Sequence, residues 1–496
     1  MPLFKKPIEQ EFFSLRLRAG RPMTELEFYA RELTDWETSP ERREMIDGDR
    51  YYTGDHDILK RQRTAIGPDG KLIVIENLPN NRIVDNQYAK HVDQKANYLL
   101  GQPISFSCEN DDYAAEVKKV LGMRFMRTLK SAGVECLNAG ISWLYPYYNK
   151  NGELAFRVFP GYEIMPFWAD AAHTELDSAL RLYPVEVYYG TEKKIVKKVD
   201  LFTLEGVTTY IFENGVLTPD TEKQAYVKVK DSKGNEQPLN WERFPLIPIK
   251  YNPKEVPLIR RGRSLQDAIN LLQSDFVNNM EEDVRNTVLV LKNYDGQDLG
   301  EFRRNLTTYG AIKVRTVEGT DGGVDSLEIS VNSENYKTVL ELLKKALIEN
   351  LRSYDAKDDR LSGTPNQMNI QSMYCDIDLD ANAMETELQA SFEEILWFVN
   401  TYLANTGRGS YESEDITVIF NRDILINESE AIDNCSKSVG IISDETIVAM
   451  HPWVDDPAAE LERLEKQKAE ADPYRAAFEQ AQALRNPEGG DPVNEE

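Results

Sequence analysis

Cysteine and histidine are scarce in this 496-residue chain, with four of each, and neither type clusters. Cys108, Cys136, Cys375 and Cys435 are far apart and form no CxxC pair, so neither a disulfide scaffold nor a zinc site is suggested. His56, His91, His173 and His451 stand apart from one another and from every cysteine, and each reads as a surface or partly satisfied histidine rather than a ligand or catalyst. Long apolar runs are missing too. No window of about eighteen apolar residues exists to span a membrane, and Met1-Pro2-Leu3-Phe4-Lys5-Lys6 lacks the apolar stretch of a signal peptide. The expectation is a soluble protein of a reducing cytoplasm. Positive charge is the third shortage: 58 Lys and Arg against 84 Asp and Glu leave a net charge of -26. That disfavours tight, passive nucleic-acid binding, which needs a basic footprint, but not the sliding of a polyanion past the protein.

Motifs of catalysis are absent as well. Gly67-Pro68-Asp69-Gly70-Lys71 has neither the spacing nor the Ser/Thr of a phosphate loop, and no HExxH, GxSxG or GxGxxG occurs. Asp376, Asp378 and Asp380 suggest a divalent-metal site only at first sight. On a helix 376 and 380 share a face while 378 points away, and a solvated face is the simpler reading. The expectation is no enzyme, no cofactor and no metal.

What is present is helical periodicity. From Ser264, an N-cap candidate with Asp267 three residues on, Leu265, Ile269, Leu272, Phe276, Met280 and Val284 recur at spacings of three and four. Tyr336, Leu340, Leu343, Leu347 and Leu351 repeat the pattern. A third stripe, Ile370, Met373, Ile377, Met384, Leu388, Phe392, Ile395, Val399 and Tyr402, predicts one helix from Asn366 to Leu403, roughly 55 to 60 Å long. Between the first two helices, Val288–Leu291, Ala311–Val314 and Leu327–Ser330 read as strands, with a short helix near Leu299–Leu306 and a tight loop at Gly319–Gly323. An insert that leaves and re-enters an antiparallel helix pair must sit at its tip.

At 496 residues, with 41% hydrophobic and 10% aromatic content, two to four subdomains are expected. A helix starts near Met23–Glu27 and another stops at Tyr51-Tyr52-Thr53-Gly54. Asn81 to Gly101 reads as helical, with Ile83, Tyr88, Val92, Ala96 and Leu99 as its apolar face; Ile104–Ser107 is a short strand and Phe125–Ala139 a further helix. From Ile141 to Tyr251 aromatic and β-branched runs alternate with turns such as Asn149–Gly152 and Glu213-Asn214-Gly215. Trp143–Tyr148, Ala155–Phe159, Leu180–Tyr183, Val185–Tyr189, Lys197–Leu204, Thr208–Phe212 and Ala225–Val229 are the expected strands of a mostly antiparallel meander. Asp415–Phe420 is one more, placed to rejoin that sheet. Helices follow over Glu428–Val439, Ser443–Met450, Asp456–Glu470 and Asp472–Arg485, and the polar end from Asn486 reads as disordered. The fold class is α+β.

Four stretches carry a family resemblance: Tyr51-Tyr52-Thr53-Gly54 followed by Ile58; Asn81 to Pro103, ending Val92-Asp93-Gln94-Lys95-Ala96-Asn97-Tyr98-Leu99-Leu100-Gly101-Gln102-Pro103; Leu361-Ser362-Gly363-Thr364-Pro365; and Gly440-Ile441-Ile442-Ser443-Asp444-Glu445-Thr446 with Val454-Asp455-Asp456-Pro457 and Glu460-Leu461-Glu462-Arg463. In this order and spacing over nearly the whole chain they resemble the portal proteins, or head–tail connectors, of long-tailed bacteriophages of Gram-positive hosts. The resemblance implies a portal fold and a ring, twelvefold in the virion, at one capsid vertex. On this resemblance the ring is expected to be the channel for double-stranded DNA packaging and ejection, without sequence readout, and the docking platform for terminase and head-completion or tail proteins. The resemblance also implies scaffolding and major capsid proteins as partners, no membrane, and residence in the virion and, during assembly, in the host cytoplasm.

It further implies an N-terminal and wing domain over 1–257, stem helices over 258–286 and 333–352, and a clip over 287–332. A tunnel loop over 353–365 precedes a long wing helix over 366–405 and a wing strand region over 406–427. Crown helices span 428–485, with a disordered tail over 486–496. The site residues expected on this basis are Tyr354, Lys357, Arg360, Ser362 and Gly363 in the tunnel loop, Lys337, Lys344 and Lys345 facing the stem lumen, and Arg303, Arg304, Lys313 and Arg315 in the clip. The lumen cations have a competing reading, in which they pair with Glu334, Glu341, Glu349, Asp355, Asp358 or Asp359. For the whole chain the competing readings are a scaffold or minor capsid component without a channel, and an enzyme with an unrecognised site.

Overall fold

The computed structural model describes residues 24–66, 69–75, 78–230, 236–283, 288–292, 323–327, 333–356, 367–422, 428–454 and 457–471. They form two compact units, one drawn from residues up to Tyr354 with Asp376–Asp423, the other from Asp355–Cys375 with residues from Ile424 on.

The first unit begins with α1 (Glu25–Glu37), opened by a capping box in which the Thr24 hydroxyl accepts from Glu27 N while Glu27 accepts from Thr24 N. Ser39 caps α2 (Pro40–Thr53), whose N1 proline needs no donor, and Gly54 ends it with φ 93°. A 3-10 turn at Asp57–Lys60 leads to a hairpin of β1 (Thr64–Ile66) and β2 (Leu72–Val74). Residues 78–86 are extended, so the helix expected from Asn81 begins only at Gln87: α3 is Gln87–Leu100, capped by Asn86. β3 (Ser105–Ser107) is followed by α4 (Asp111–Val120), which the sequence pattern did not disclose, and by α5 (Met123–Ala139). Gly140 stops α5 at φ 83°, where a Cβ would also lie 2.2 Å from the Glu255 carbonyl oxygen.

The strand-rich region resolves into two antiparallel sheets. β4 (Ile141–Tyr148) lies between β5 (Leu154–Phe159) and β13 (Ile247–Lys250). β6 (Ile164–Trp168), β7 (Leu176–Tyr189), β8 (Glu192–Thr203), β9 (Gly206–Glu213) and β10 (Val216–Pro219) form a five-stranded meander. The two expected strands at 180–183 and 185–189 are one 14-residue strand, because Pro184 sits in register with Lys197 without breaking the pairing. β11 (Val227–Lys230) and β12 (Glu236–Leu239) make a separate hairpin. Phe28, Tyr29 and Leu33 of α1 cover one side of the meander against Phe167, Leu180, Leu182, Val199 and Phe212. Trp143, Phe159, Trp168 and Phe202 form a second cluster that joins the two sheets, with Trp143 and Trp168 stacked at 5.6 Å.

Two further helices, α6 (Ile259–Asp283) and α7 (Ser333–Asn350), are separated by β14 (Val288–Lys292) and β15 (Gly323–Leu327), which pair antiparallel. The strand expected at 327–330 thus lies four residues earlier, and its other residues, like the strand near 311–314 and the helix near 299–306, fall outside the described residues. α8 (Gln367–Asn405) is 39 residues long. Its stretch within this unit buries Ile377, Met384, Leu388, Phe392, Ile395, Val399 and Tyr402; Phe392 meets Phe125 and Phe420 edge-on, and burying one such ring contributes about 2–3 kcal/mol. β16 (Thr417–Ile419) pairs with β3 in a two-stranded sheet of its own, and does not rejoin the large sheets as expected.

In the second unit α9 (Glu428–Ser438), α10 (Asp444–Ala449) and α11 (Pro457–Ala471) follow the expected spans, with the Ser443 hydroxyl accepting from Thr446 N at the start of α10. The last expected helix and the tail lie outside the described residues. No helix among the described residues is long and apolar enough to cross a membrane.

Candidate functional site: the clamped base of a helix pair

α6 and α7 pack antiparallel. Early in α6, Gly262 touches the end of α7: a Cβ there would lie 2.9 Å from Leu347 and Leu351. Late in α6, Phe276 meets Tyr336 of the first α7 turn, ring centroids 4.5 Å apart. α6 opens at Ile259, five residues before the serine expected to cap it. Ser264 is exposed inside the helix, and Asp267, the expected capping partner, instead accepts from the Tyr51 hydroxyl at 2.6 Å.

Of the apolar stripe read from the sequence, Ile269 is fully buried and Phe276 meets Tyr336 of α7, whereas Met280 is exposed and Val284 lies outside the described residues. A second stripe, Gln266, Asn270, Ser274 and Asn278, is fully buried and entirely polar. The extended strap 78–86 runs antiparallel along it. Asn81 N donates to Asn278 Oδ1 (2.7 Å), Ile83 N to Ser274 Oγ (2.9 Å), Asp85 N to Asn270 Oδ1 (3.0 Å) and Tyr88 N to Gln266 Oε1 (2.9 Å). Four residues of helix advance about 6 Å and two residues of extended chain about 6.6 Å, so side chains spaced by four meet every second strap amide from Asn81 to Asp85, and Gln266 meets the next element in the first turn of α3. The ladder satisfies amides that would otherwise be buried unpaired. It also explains why 81–86 is not helical: α6 supplies the acceptors that a helix would have supplied.

Three charged clusters fix the same region. Arg50 and Arg263 share Asp47 and Asp57 in a closed ring, at 2.6 and 2.9 Å from Arg50 and 2.6 and 2.7 Å from Arg263. Burial alone would raise the Asp57 carboxyl; hydrogen bonds from Arg263 and Arg50 outweigh it and hold it at about 2. Asp85 accepts from Gln273 (2.6 Å) and pairs with Lys344 of α7 (2.8 Å), contacts that lower its pKa despite burial. Asp380 of α8 pairs with buried Lys95 (2.7 Å) and with Arg261 (3.1 Å), and accepts from Tyr251 (2.6 Å), while Lys95 also donates to the Arg352 carbonyl (2.9 Å). Burial pushes the Asp380 carboxyl up, but Lys95, Tyr251 and Arg261 hold it below the ordinary range. Asp380 is therefore the anchor of a buried network rather than part of a solvated face; Asp376 is exposed, and Asp378 receives Tyr98 (3.0 Å) and Arg422. No group of three or more His, Cys, Asp or Glu side chains among the described residues is placed to hold a metal.

The expected site residues meet varied fates. Lys344 is engaged by Asp85, an acid outside the set considered for it; Lys337 lies 3.9 Å from Glu341, both exposed; Lys345 is exposed. Tyr354 is half-buried, its carbonyl accepting from Gln94 at 3.3 Å. Lys357, Arg360, Ser362 and Gly363, and Arg303, Arg304, Lys313 and Arg315, lie outside the described residues. Among the histidines, His56 and His91 are buried rather than superficial. His56 donates through Nε2 to the Tyr51 carbonyl (3.0 Å) and accepts at Nδ1 from Asn270 (2.7 Å). The signal for the missed residues was the four-residue spacing of Gln266, Asn270, Ser274 and Asn278, visible in the sequence but identical to that of a solvent-facing stripe.

Comparison with known proteins supplies the context. The family described as "Phage portal protein, SPP1 Gp6-like" matches residues 37–474. The portal protein of Bacillus phage SPP1 is 31% identical over 427 residues, 85% of this chain and 83% of that protein. The portal protein of Clostridium phage phiCD119 is 27% identical over 443 residues, 87% and 94% of the two chains.

Proposed function

Because this chain belongs to the SPP1 Gp6-like family of phage portal proteins, we propose that α6 and α7 are the stem of its ring and that the clamp at their base holds each stem to its wing. The protein is a structural component of the virion: a ring at the capsid that is the channel for packaging and ejecting double-stranded DNA and a platform for docking. The finer assignments are ours. The ring is twelvefold; the clip spans 287–332 and begins and ends in β14 and β15; the tunnel loop spans 353–365, with Tyr354 near its start. α8 is the wing helix, and 428–485 forms the crown. Terminase, scaffolding, major capsid and head-completion proteins dock on the assembled ring, the protein hydrolyses no nucleotide itself, and assembly takes place in the host cytoplasm.

The observation that carries this reading is the antiparallel α6–α7 pair. Its 25- and 18-residue helices give rods of about 37 and 27 Å. Their inward stripe is used within the pair, yet Leu271, Met280, Val339 and Leu342 remain exposed, as a subunit that must pack on neighbours requires. Electrostatics fits passage rather than grip. Duplex DNA carries about one charge per 1.7 Å, so a ring holding many phosphates at once would stall it, whereas an acidic wall centres it and leaves sparse cations for guidance. Pairing of Lys344 with Asp85 thins those cations further, to Lys337 and Lys345 on the exposed face of α7. Electron microscopy of the purified protein tests the reading: rings with an axial hole are expected, and particles without one would end it.

A further inference from the structure

We infer that the β1–β2 hairpin is a docking tongue that seats on the α7 flank of the next copy in the ring, a proposal that rests on the portal reading. The hairpin pairs Ile66 with Leu72 and Ala65 with Ile73. Ile66 is 77% exposed and Leu72 72%, while Val74, on the face of Leu72, and Ile73, on the opposite face, are about half exposed. Both faces are thus apolar and open. A two-stranded hairpin is marginal in water without a covering surface, and an open apolar edge is normally blunted by charge or proline.

The hairpin is nevertheless firmly rooted. Arg61 pairs with Asp275 of α6 at 2.8 Å, Arg63 donates to the Pro79 carbonyl at 3.0 Å and Asn80 to the Arg61 carbonyl at 3.3 Å, so both legs are tied together beside α6. The second leg continues into the strap, and Lys344 of α7 reaches the strap at Asp85. Leu342 lies two residues from Lys344, about 200° around the helix, and therefore faces away from the strap. Leu342 is 61% exposed and Val339, three residues before it, 45%. One flank of the helix pair thus carries the apolar tongue and the other an apolar seat. A ring closes through unlike flanks, each copy presenting one to each neighbour. Charge agrees with another copy as occupant. Residues 57–82 hold five cations (Lys60, Arg61, Arg63, Lys71, Arg82) and three anions (Asp57, Asp69, Glu76) in a chain whose net charge is -26, so the tongue is drawn to a second copy rather than repelled by it.

The test joins tongue to seat. Ile73→Cys with Leu342→Cys, in a background with Cys108, Cys375 and Cys435 changed to serine, should give an oxidised ladder of covalent multimers, while each single variant stays monomeric on a non-reducing gel. A cross-link confined within one chain, or none in preparations that form rings, would overturn the proposal. Amide exchange on the unaltered ring decides the matter should the double variant fail to assemble. Residues 64–66 and 72–75 are expected to exchange at least tenfold more slowly than unstructured chain, and exchange at unstructured rates, or slowing that needs added duplex DNA, would sink it. Failure of the unaltered chain to form rings would instead strike the portal reading itself.

Discussion

Asn270→Asp should reverse the way stability depends on pH. His56 is fully buried, and its Nδ1 accepts from Asn270 Nδ2 while Nε2 donates to the Tyr51 carbonyl. The amide of Asn270 cannot turn over, because its Oδ1 is held by Asp85 N and Gln266 Nε2, both at 3.0 Å and both donors. This network assigns His56 the neutral Nε2-protonated tautomer. Burial lowers the pKa of His56; the hydrogen bond to the Tyr51 carbonyl and the charges of Asp267 and Asp55 offset that only in part. The unfolded chain binds a proton as pH falls through 6.5 and the folded chain does not until lower pH. The contribution of His56 to stability is therefore fully present above 6.5 and declines below it, with a slope of at most about 1.4 kcal/mol per pH unit.

With aspartate at 270, Oδ1 keeps its two donors but the second oxygen now faces Nδ1, so the pair is satisfied only when His56 is an imidazolium donating from both nitrogens. Its folded pKa then rises above 6.5, and the stability so gained is present below 6.5 and lost as pH rises through the new value. At pH 8 an unpaired buried oxygen remains, and the variant should fall about 2–4 kcal/mol below the parent; near pH 5.5 the gap should nearly close. Thermal unfolding of the purified chain between pH 5 and 8 reads both slopes, with His56→Gln as a control whose slope should flatten. A variant with the parent's slope would refute the assigned network.

Asp380→Leu should cost about 3–5 kcal/mol in urea unfolding, because it strands the buried Lys95 cation, while Lys95→Met should cost less since Arg261 and Tyr251 still serve Asp380; equal losses would contradict the hub. Gly262→Val should lower stability by about 1–3 kcal/mol by prying α7 off α6 at Leu347 and Leu351, and an unchanged melting temperature would deny that contact. Glu135 is pushed up from 4.5 to about 7 by burial, with the charges of Asp49 and Glu163 adding. The folded state thus holds a proton the unfolded state has released, and stability falls as pH rises from 4.5 to 7, by about 3 kcal/mol in all. Glu135→Gln should therefore match the parent at pH 4.5 and exceed it at pH 8, and an equal difference at both would exclude the assignment. Replacing residues 355–361 with a Gly/Ser linker should leave rings intact and abolish DNA packaging in a complementation assay; normal packaging would discard the tunnel-loop assignment.

Much of the fold was legible because helix and strand periods are local properties. The stripes from Leu265 to Met280, from Tyr336 to Leu351 and from Ile370 to Tyr402 each mark an apolar face, and Gly54, Ser443 and Pro457 punctuate the chain where their chemistry requires. The misreadings concern residues whose partner is distant. Taken together with Tyr88, Val92, Ala96 and Leu99, Ile83 makes 81–86 read as helix, although nine residues put it on the face opposite Val92; α6, almost two hundred residues away, supplies the acceptors that make it a strap. Asp380 follows Asp376 and Asp378 on the helix and looks solvated until Lys95, at a separation of 285 residues, is placed on it. A buried polar group is indistinguishable in sequence from an exposed one, because its burial is a property of what comes to meet it.

The same reasoning explains why two of the four stretches that carry the family resemblance, Tyr51–Gly54 and Asn81–Pro103, lie where they do. Tyr51 and the strap starting at Asn81 contact α6 between Asp267 and Asn278, and Lys95 contacts the ends of the pair through Asp380 and Arg352. A rod of about 37 Å tilting by about 5° about one end moves its other end by about 3 Å, more than the depth of a side-chain contact between neighbouring copies, and α6 is held against such a tilt along most of its length, from Arg263 to Asn278. Apolar packing alone is poorly suited to prevent this, since it is non-directional and tolerates small rotations. Hydrogen bonds spaced along the strap and a closed Arg–Asp ring are directional, and a tilt of α6 must stretch several of them together. On the proposed stem assignment, these polar contacts along α6 would keep the helix pairs of a ring parallel while a highly charged polymer passes between them.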